Sequence, residues 1–250
     1  MADRTSRLRP MPMGCSIGNV KITAGTSGCL VRRGDEVFIL SNAHVFTPDP
    51  MEETETRDIV QPGPYDGGSL PDDKIGDLTD YIAIKPEEEE LSCLLARSIA
   101  RFLNSVSRLL RRKSRFKVIT LGKEKNKVDC AIATPLSPDI VKREILGIGV
   151  PRGTVEGKLG MNIKKSGRTT GLTTGKIRLL NATVRVQYGS KTAIFEDQLV
   201  AEIMSKGGDS GSAVLDEDNR ICGLLFAGSD TMSIINKISH VEKLLRVEVA

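Results

Sequence analysis

Gly207-Gly208-Asp209-Ser210-Gly211-Ser212 is the stretch on which the reading of this chain turns. A serine set among glycines sits on a backbone tight enough to expose its hydroxyl. The same glycines let backbone N–H groups crowd round one point, where they can stabilise an oxyanion as charge develops. The stretch lies between Ile203 and the apolar run Ala213-Val214-Leu215, so it joins two ordered segments. Taken alone, it is also readable as a polar turn. A serine hydroxyl is a weak nucleophile at neutral pH and needs an imidazole to take its proton. The imidazole in turn needs a carboxylate to fix its tautomer.

The chain has two histidines. One, His44, follows the strand-like run Val37-Phe38-Ile39-Leu40, in Ser41-Asn42-Ala43-His44-Val45. Asp129 fits the third role, because it opens the short apolar segment Cys130-Ala131-Ile132-Ala133, where an unpaired carboxylate would be costly to bury. Asp80, in Asp80-Tyr81-Ile82-Ala83-Ile84, is a competing acid in a similar setting. His44, Asp129 and Ser210 fall at near-equal intervals, which suits two similar halves with a site between them. His240 lies in a helical stretch with no nucleophile or second metal ligand near it in sequence, and reads as a surface or packing residue. With no CxxC pair and histidines far apart, no metal site and no cofactor are expected.

Lys165-Ser166-Gly167-Arg168-Thr169-Thr170-Gly171-Leu172-Thr173-Thr174-Gly175-Lys176-Ile177 is a second glycine-rich stretch. It lacks the spacing of a phosphate-binding P-loop, since Thr170 and Ile177 stand where that loop needs a glycine and a hydroxyl residue. It reads instead as a β-hairpin with close backbone approach. Together, SNAHV, GDSGS, this hairpin and Asn181-Ala182-Thr183-Val184 resemble the chymotrypsin-like, or trypsin-fold, serine peptidases. The motifs are similar to those of bacterial alpha-lytic and streptogrisin-type enzymes and of intracellular relatives such as the plant narrow-leaf peptidases.

The resemblance implies a mostly β chain of two six-stranded antiparallel β-barrels and a serine endopeptidase acting on protein or peptide. Ser210 would be the nucleophile, His44 the base, Asp129 the orienting acid, and the N–H groups of Gly208 and Ser210 the oxyanion hole. It also implies a structural ion pair between Lys165 and Asp209, with a solvated lysine as the ordinary alternative. Met204, Ser205, Phe226, Ala227 and Gly228 would line the substrate pocket, for an apolar or small side chain. A catalytically silent peptide-binding scaffold and an esterase with the same triad are the competing functions.

Composition suits an enzyme of this size: 250 residues at 39% hydrophobic support one or two cores. Short apolar runs punctuated by turn residues, such as Glu36 to Leu40 and Ile221 to Ala227, read as strands. The expected division is an N-terminal extension over 1–13, a first barrel over 14–133, a second over 134–236 and a C-terminal helix over 237–250. The first barrel carries a helical insertion at about 86–116. In that insertion Leu91, Leu94, Leu95, Ile99, Phe102, Leu103, Val106, Leu109 and Leu110 fall at helical spacing, with acids at the start and Arg108, Arg111, Arg112 and Lys113 at the end. Packing on the first barrel, contact with a second copy, a lid and an anionic surface are its candidate roles. A net charge of +4 with aromatics at 4% argues against nucleic-acid binding. Five cysteines make an odd number, and free thiols are expected. The sequence has no signal-like apolar start and no transmembrane run, from which a cytoplasmic location is expected.

Overall fold

The computed structural model describes residues 3–87, 98, 99, 104 and 125–250. The helix expected over the 86–116 insertion lies largely outside the described residues, within which Ser98, Ile99 and Asn104 are helical.

The architecture is mostly β. In chain order the strands are β1 (Met11–Met13), β2 (Ser16–Asn19), β3 (Gly25–Thr26), β4 (Cys29–Arg33), β5 (Glu36–Ser41), β6 (Asp58–Val60), β7 (Lys74–Tyr81), β8 (Ala131–Pro135) and β9 (Val141–Ile145). They continue with β10 (Asn162–Gly167), β11 (Gly171–Tyr188), β12 (Lys191–Glu202), β13 (Ala213–Leu215), β14 (Ile221–Gly228), β15 (Met232–Lys237) and β16 (Glu248–Val249). The C-terminal half is a closed six-stranded barrel in the order β10-β11-β12-β15-β14-β13. The N-terminal half is an eight-stranded sheet ordered β16-β4-β5-β8-β7-β6-β2-β3. Where six strands are expected it has eight, the two-residue β3 and β16 extending its edges. Val249 of β16 pairs with Val31, so the last residues of the sequence close back on the first half. β1 pairs in parallel with β9 outside both sheets, and Met11 and Met13 are fully buried there.

The Thr/Gly-rich stretch forms the β10–β11 hairpin, with Gly167 opposite Gly171 and the positive φ of 63° at Gly171 taken by the residue type that tolerates it. The runs on either side of Asp197 belong to one strand, β12. Its register with β11 is broken where Asp197 (φ 64°) and Asn181 (φ 55°) both turn left-handed, as Asp and Asn do more readily than most residues. Lys237 Nζ bonds both side chains across that irregularity.

The main core draws on both halves, joining Ile17, Leu40, Phe46 and Ile132 to Leu215, Ile221 and Leu224. A second cluster fills the barrel, and a third, made of Ile84, Ala193, Phe195 and Phe226, lies beside the site. The terminal helix α2 (Ile238–Leu245) buries Ile238, Val241 and Leu245 against the main core. It ends one residue before Arg246, whose left-handed backbone caps it. Leu244, on the same helix, is 41% exposed. No helix among the described residues is long and apolar enough to cross a membrane.

Candidate active site

His44 sits on the one-turn helix α1 (Ala43–Phe46) that follows β5. Its neighbours Ala43, Val45 and Phe46 are buried, leaving the imidazole the partly exposed side chain of the turn. Asp129 lies two residues before β8 and is completely buried between Val128 and Cys130. The two meet through His44 Nδ1 and Asp129 Oδ2 at 2.5 Å, and the His44 backbone N–H reaches Asp129 Oδ1 at 3.3 Å.

A buried carboxylate needs its lone pairs satisfied. Tyr188 supplies a further donor, its hydroxyl lying 2.8 Å from Asp129 Oδ2. The Asp129 backbone is held too: its N–H donates to Asn236 Oδ1 at 3.0 Å, and its carbonyl accepts from Asn42 Nδ2 at 2.7 Å. Tyr188 also presents its ring to His44 at 5.9 Å in a T-shaped contact. Burial and the adjacent Asp129 charge push its phenol well above the ordinary range. Asp80, the competing acid, is on β7 and pairs with Arg33 at 3.0 Å with 47% of its side chain exposed, away from His44.

Ser210 lies in the loop from β12 to β13. Its hydroxyl points to the Phe226 carbonyl at 3.4 Å, and among the described residues no hydrogen bond joins it to His44. Positive φ values at Gly208 (94°) and Gly211 (95°) bend the backbone on either side of it. Among the described residues, the N–H groups of Gly208 and Ser210 have no acceptor.

Lys165, from β10, is fully buried, with Nζ 3.3 Å from Asp209 Oδ2 and 3.1 Å from the Gly171 carbonyl, and it also bonds Thr170 Oγ1. Burial pushes the ammonium below its ordinary value, against the opposing pull of Asp209. For Asp209, burial pushes the carboxyl up. The Thr170 hydroxyl, the Lys165 charge and the N–H groups of Lys206 and Thr170 outweigh it and hold the group below the usual carboxylate value. Asp209 thereby anchors the loop to the β10–β11 turn, also accepting from Thr169 N at 2.9 Å.

Beside Ser210 a pocket of about 450 Å³ is lined by residues that include Ile203, Ser205, Leu225, Ala227, Gly228 and Asp230. Of the residues expected to bind substrate, Ser205, Ala227 and Gly228 line this pocket. Met204 and Phe226 do not line it: Met204 packs into the barrel core, and Phe226 packs on Phe195 at 4.8 Å. On β14 strand alternation accounts for Phe226, which lies between the pocket-lining Leu225 and Ala227 and points the other way, whereas Met204 lies beyond the end of β12. Ser205 Oγ pairs with Ser233 Oγ at 2.8 Å. His240, read as a packing residue, bonds Asp197 at 2.7 Å. Tyr188, Asn236 and Ser233 carried no local sequence signal, because each reaches the site from a distant strand.

No family model matches the chain, and no curated protein matches it in sequence. Its structure is similar to that of Thermobifida fusca protease A, at 17% identity over 96% of this chain and 98% of that one, with a TM-score of 0.60. It is also similar to a glutamic acid-specific serine protease that uses a histidine triad in substrate binding (16% identity, 96% and 100% covered, TM-score 0.61). Alpha-lytic protease homolog N4 is a third such structure (13% identity, 96% and 99% covered, TM-score 0.59). The fold is that of the chymotrypsin-like serine proteases.

Proposed function

We propose that the chain is a serine endopeptidase. Ser210 attacks the scissile carbonyl, His44 takes the serine proton and returns it to the leaving amine, and Asp129 holds the imidazole. The reading rests above all on the contact of His44 Nδ1 with the buried Asp129 carboxylate. With Nδ1 so engaged, Nε2 is the nitrogen available to accept a proton. The N–H groups of Gly208 and Ser210 are assigned to the developing oxyanion, and the Lys165–Asp209 pair to the structural support of their loop. A pocket walled by Ile203, Leu225 and Ala227, with a serine hydroxyl pair and no buried acid, suits an apolar or small side chain before the cut bond.

One observation favours a second reading, a catalytically silent peptide-binding protein: the Ser210 hydroxyl is directed to Phe226 rather than to His44. Catalytic hydrogen bonds are often long or misaligned without substrate, so this geometry is compatible with either reading. Reaction with a fluorophosphonate separates them. The peptidase reading predicts labelling that Ser210→Ala and His44→Ala each abolish, triad loss costing on the order of 10⁴-fold or more in rate. A folded wild type that does not label points instead to a closed or inactive site.

A further inference from the structure

Gly207 and Gly208 bring no Cβ to their shared peptide unit, so side-chain sterics do not decide which way that unit faces. Facing one way it offers the Gly208 N–H to the cleft, and facing the other it offers the Gly207 carbonyl, which would repel an oxyanion. Something outside the dipeptide must hold the productive orientation.

In the structure every carbonyl from Gly207 to Ser210 is tied back. Gly207 O accepts from Thr169 Oγ1 at 2.7 Å, and Gly208 O from Thr26 Oγ1 at 2.9 Å. Asp209 O accepts from Ser212 Oγ at 2.6 Å, and Ser210 O from Thr26 N at 2.8 Å. The N–H groups of Gly207, Gly208 and Ser210 have no acceptor among the described residues. In a planar trans peptide the C=O and the following N–H point in opposite directions. Tying Gly207 O to Thr169 therefore turns the Gly208 N–H away from Thr169.

Thr169 is itself held. Arg168 Nη1 bonds its hydroxyl at 3.0 Å, and the same guanidinium grips Asp66 through two contacts of 2.6 Å. It also lies 4.8 Å over the Tyr65 ring. The Arg168 backbone N–H bonds Thr26 Oγ1 at 2.9 Å, so the two threonine locks share one residue. Packing is direct, since a Cβ placed on Gly208 would lie 2.5 Å from Thr169 Oγ1 and 2.7 Å from Arg168 Nη1. Thr26, Tyr65 and Asp66 come from the N-terminal half, whereas Arg168, Thr169 and the loop come from the C-terminal half.

We propose that Thr169 and Thr26 are positioning residues that lock the Gly207–Ser210 loop with its N–H groups available to the oxyanion, and that Arg168–Asp66 ties this lock to the N-terminal half. The proposal rests on the acyl-transfer reading above. Thr169 is exposed, so Thr169→Val is expected to fold. On an N-acetyl-alanine p-nitrophenyl ester, Thr169→Val should lower kcat by about 10-fold or more, towards the ~10²–10³-fold cost of losing a whole oxyanion donor, with KM little changed. Thr169→Ser should recover most of that loss, and Thr26→Val should repeat it from the opposite half. Crystals of Thr169→Val should show the Gly207–Gly208 peptide turned over or split between two orientations.

An unchanged kcat overturns the lock. So does a Thr169→Ser variant as impaired as Thr169→Val, or a fall in kcat with the peptide in its original orientation. If the wild type neither hydrolyses the ester nor labels with a fluorophosphonate, the acyl-transfer reading fails by itself. The peptide orientation in Thr169→Val then decides the lock: turned over supports it, unmoved overturns it.

Discussion

Tyr188 sits 2.8 Å from the Asp129 oxygen that also meets His44, so its hydroxyl shares in holding that carboxylate. Replacing it with Phe removes a donor to a buried anion while keeping the ring that packs on His44 and Phe195. An uncompensated hydrogen bond to a charged group costs about 1.5–3 kcal/mol. We therefore expect Tyr188→Phe to lose roughly ten-fold or more in kcat/KM, with the melting temperature lowered, as read by ester hydrolysis and calorimetry. Lys165→Met is the harsher change. It leaves Asp209 buried beside Ser210 without its cation, a loss of about 3–5 kcal/mol when one partner of a buried pair is removed. Denaturant unfolding should show that loss, and fluorophosphonate labelling should slow; an unaltered, fully active variant would remove the structural role assigned to the pair.

The β11–β12 hairpin is the element that carries Tyr188, and its tip reaches the opposite half. Lys191 bonds Asp49 at 3.0 Å and Glu52 at 2.8 Å, on the chain that follows the His44 turn. These contacts are solvent-exposed, so Lys191→Ala should leave the melting temperature close to that of the wild type. Much of the element pattern was legible in sequence. β5, the GDSGS loop and the β10–β11 hairpin each announce themselves within a dozen residues through strand alternation and glycine placement. Tyr188 to Asp129, Arg168 to Asp66 and Thr26 to Gly208 are separated by 59, 102 and 182 residues, and no local period encodes such pairs. Met204 and Phe226 pack into core clusters rather than line the pocket, because a residue's inward or outward direction is set by barrel closure and not by its local sequence. Asp80 and Asp129 looked alike in sequence because each borders an apolar run; only the sheet shows which of them meets His44.

Across the whole molecule, four cysteines, Cys15, Cys29, Cys130 and Cys222, are buried free thiols among the described residues. Burial pushes Cys15 up to about 11 and Cys29 and Cys222 up to about 12, and holds Cys130 well above its ordinary value. The folded state keeps these protons where the unfolded chain releases them. Stability is thus fully present below about pH 9 and falls as pH rises towards 11–12, by up to ~1.4 kcal/mol per pH unit for each thiol. At the acid end the sign reverses. Asp209 is held below the usual carboxylate value, so its contribution is present above about pH 4 and is lost as pH falls through its lower folded value. Urea midpoints measured from pH 2 to 11 should trace both limbs, and iodoacetamide at pH 8 should leave the four thiols unmodified until the chain unfolds.

On the proposed reading one reactive serine, Ser210, sits between two halves, each of which supplies part of its machinery. The most direct test is mass spectrometry of the folded chain after fluorophosphonate treatment, with the modified residue identified. The account predicts one adduct per chain, on Ser210, absent from Ser210→Ala and His44→Ala and strongly slowed in Asp129→Asn. An adduct on another residue, or labelling of Ser210 that persists undiminished in His44→Ala, would contradict it.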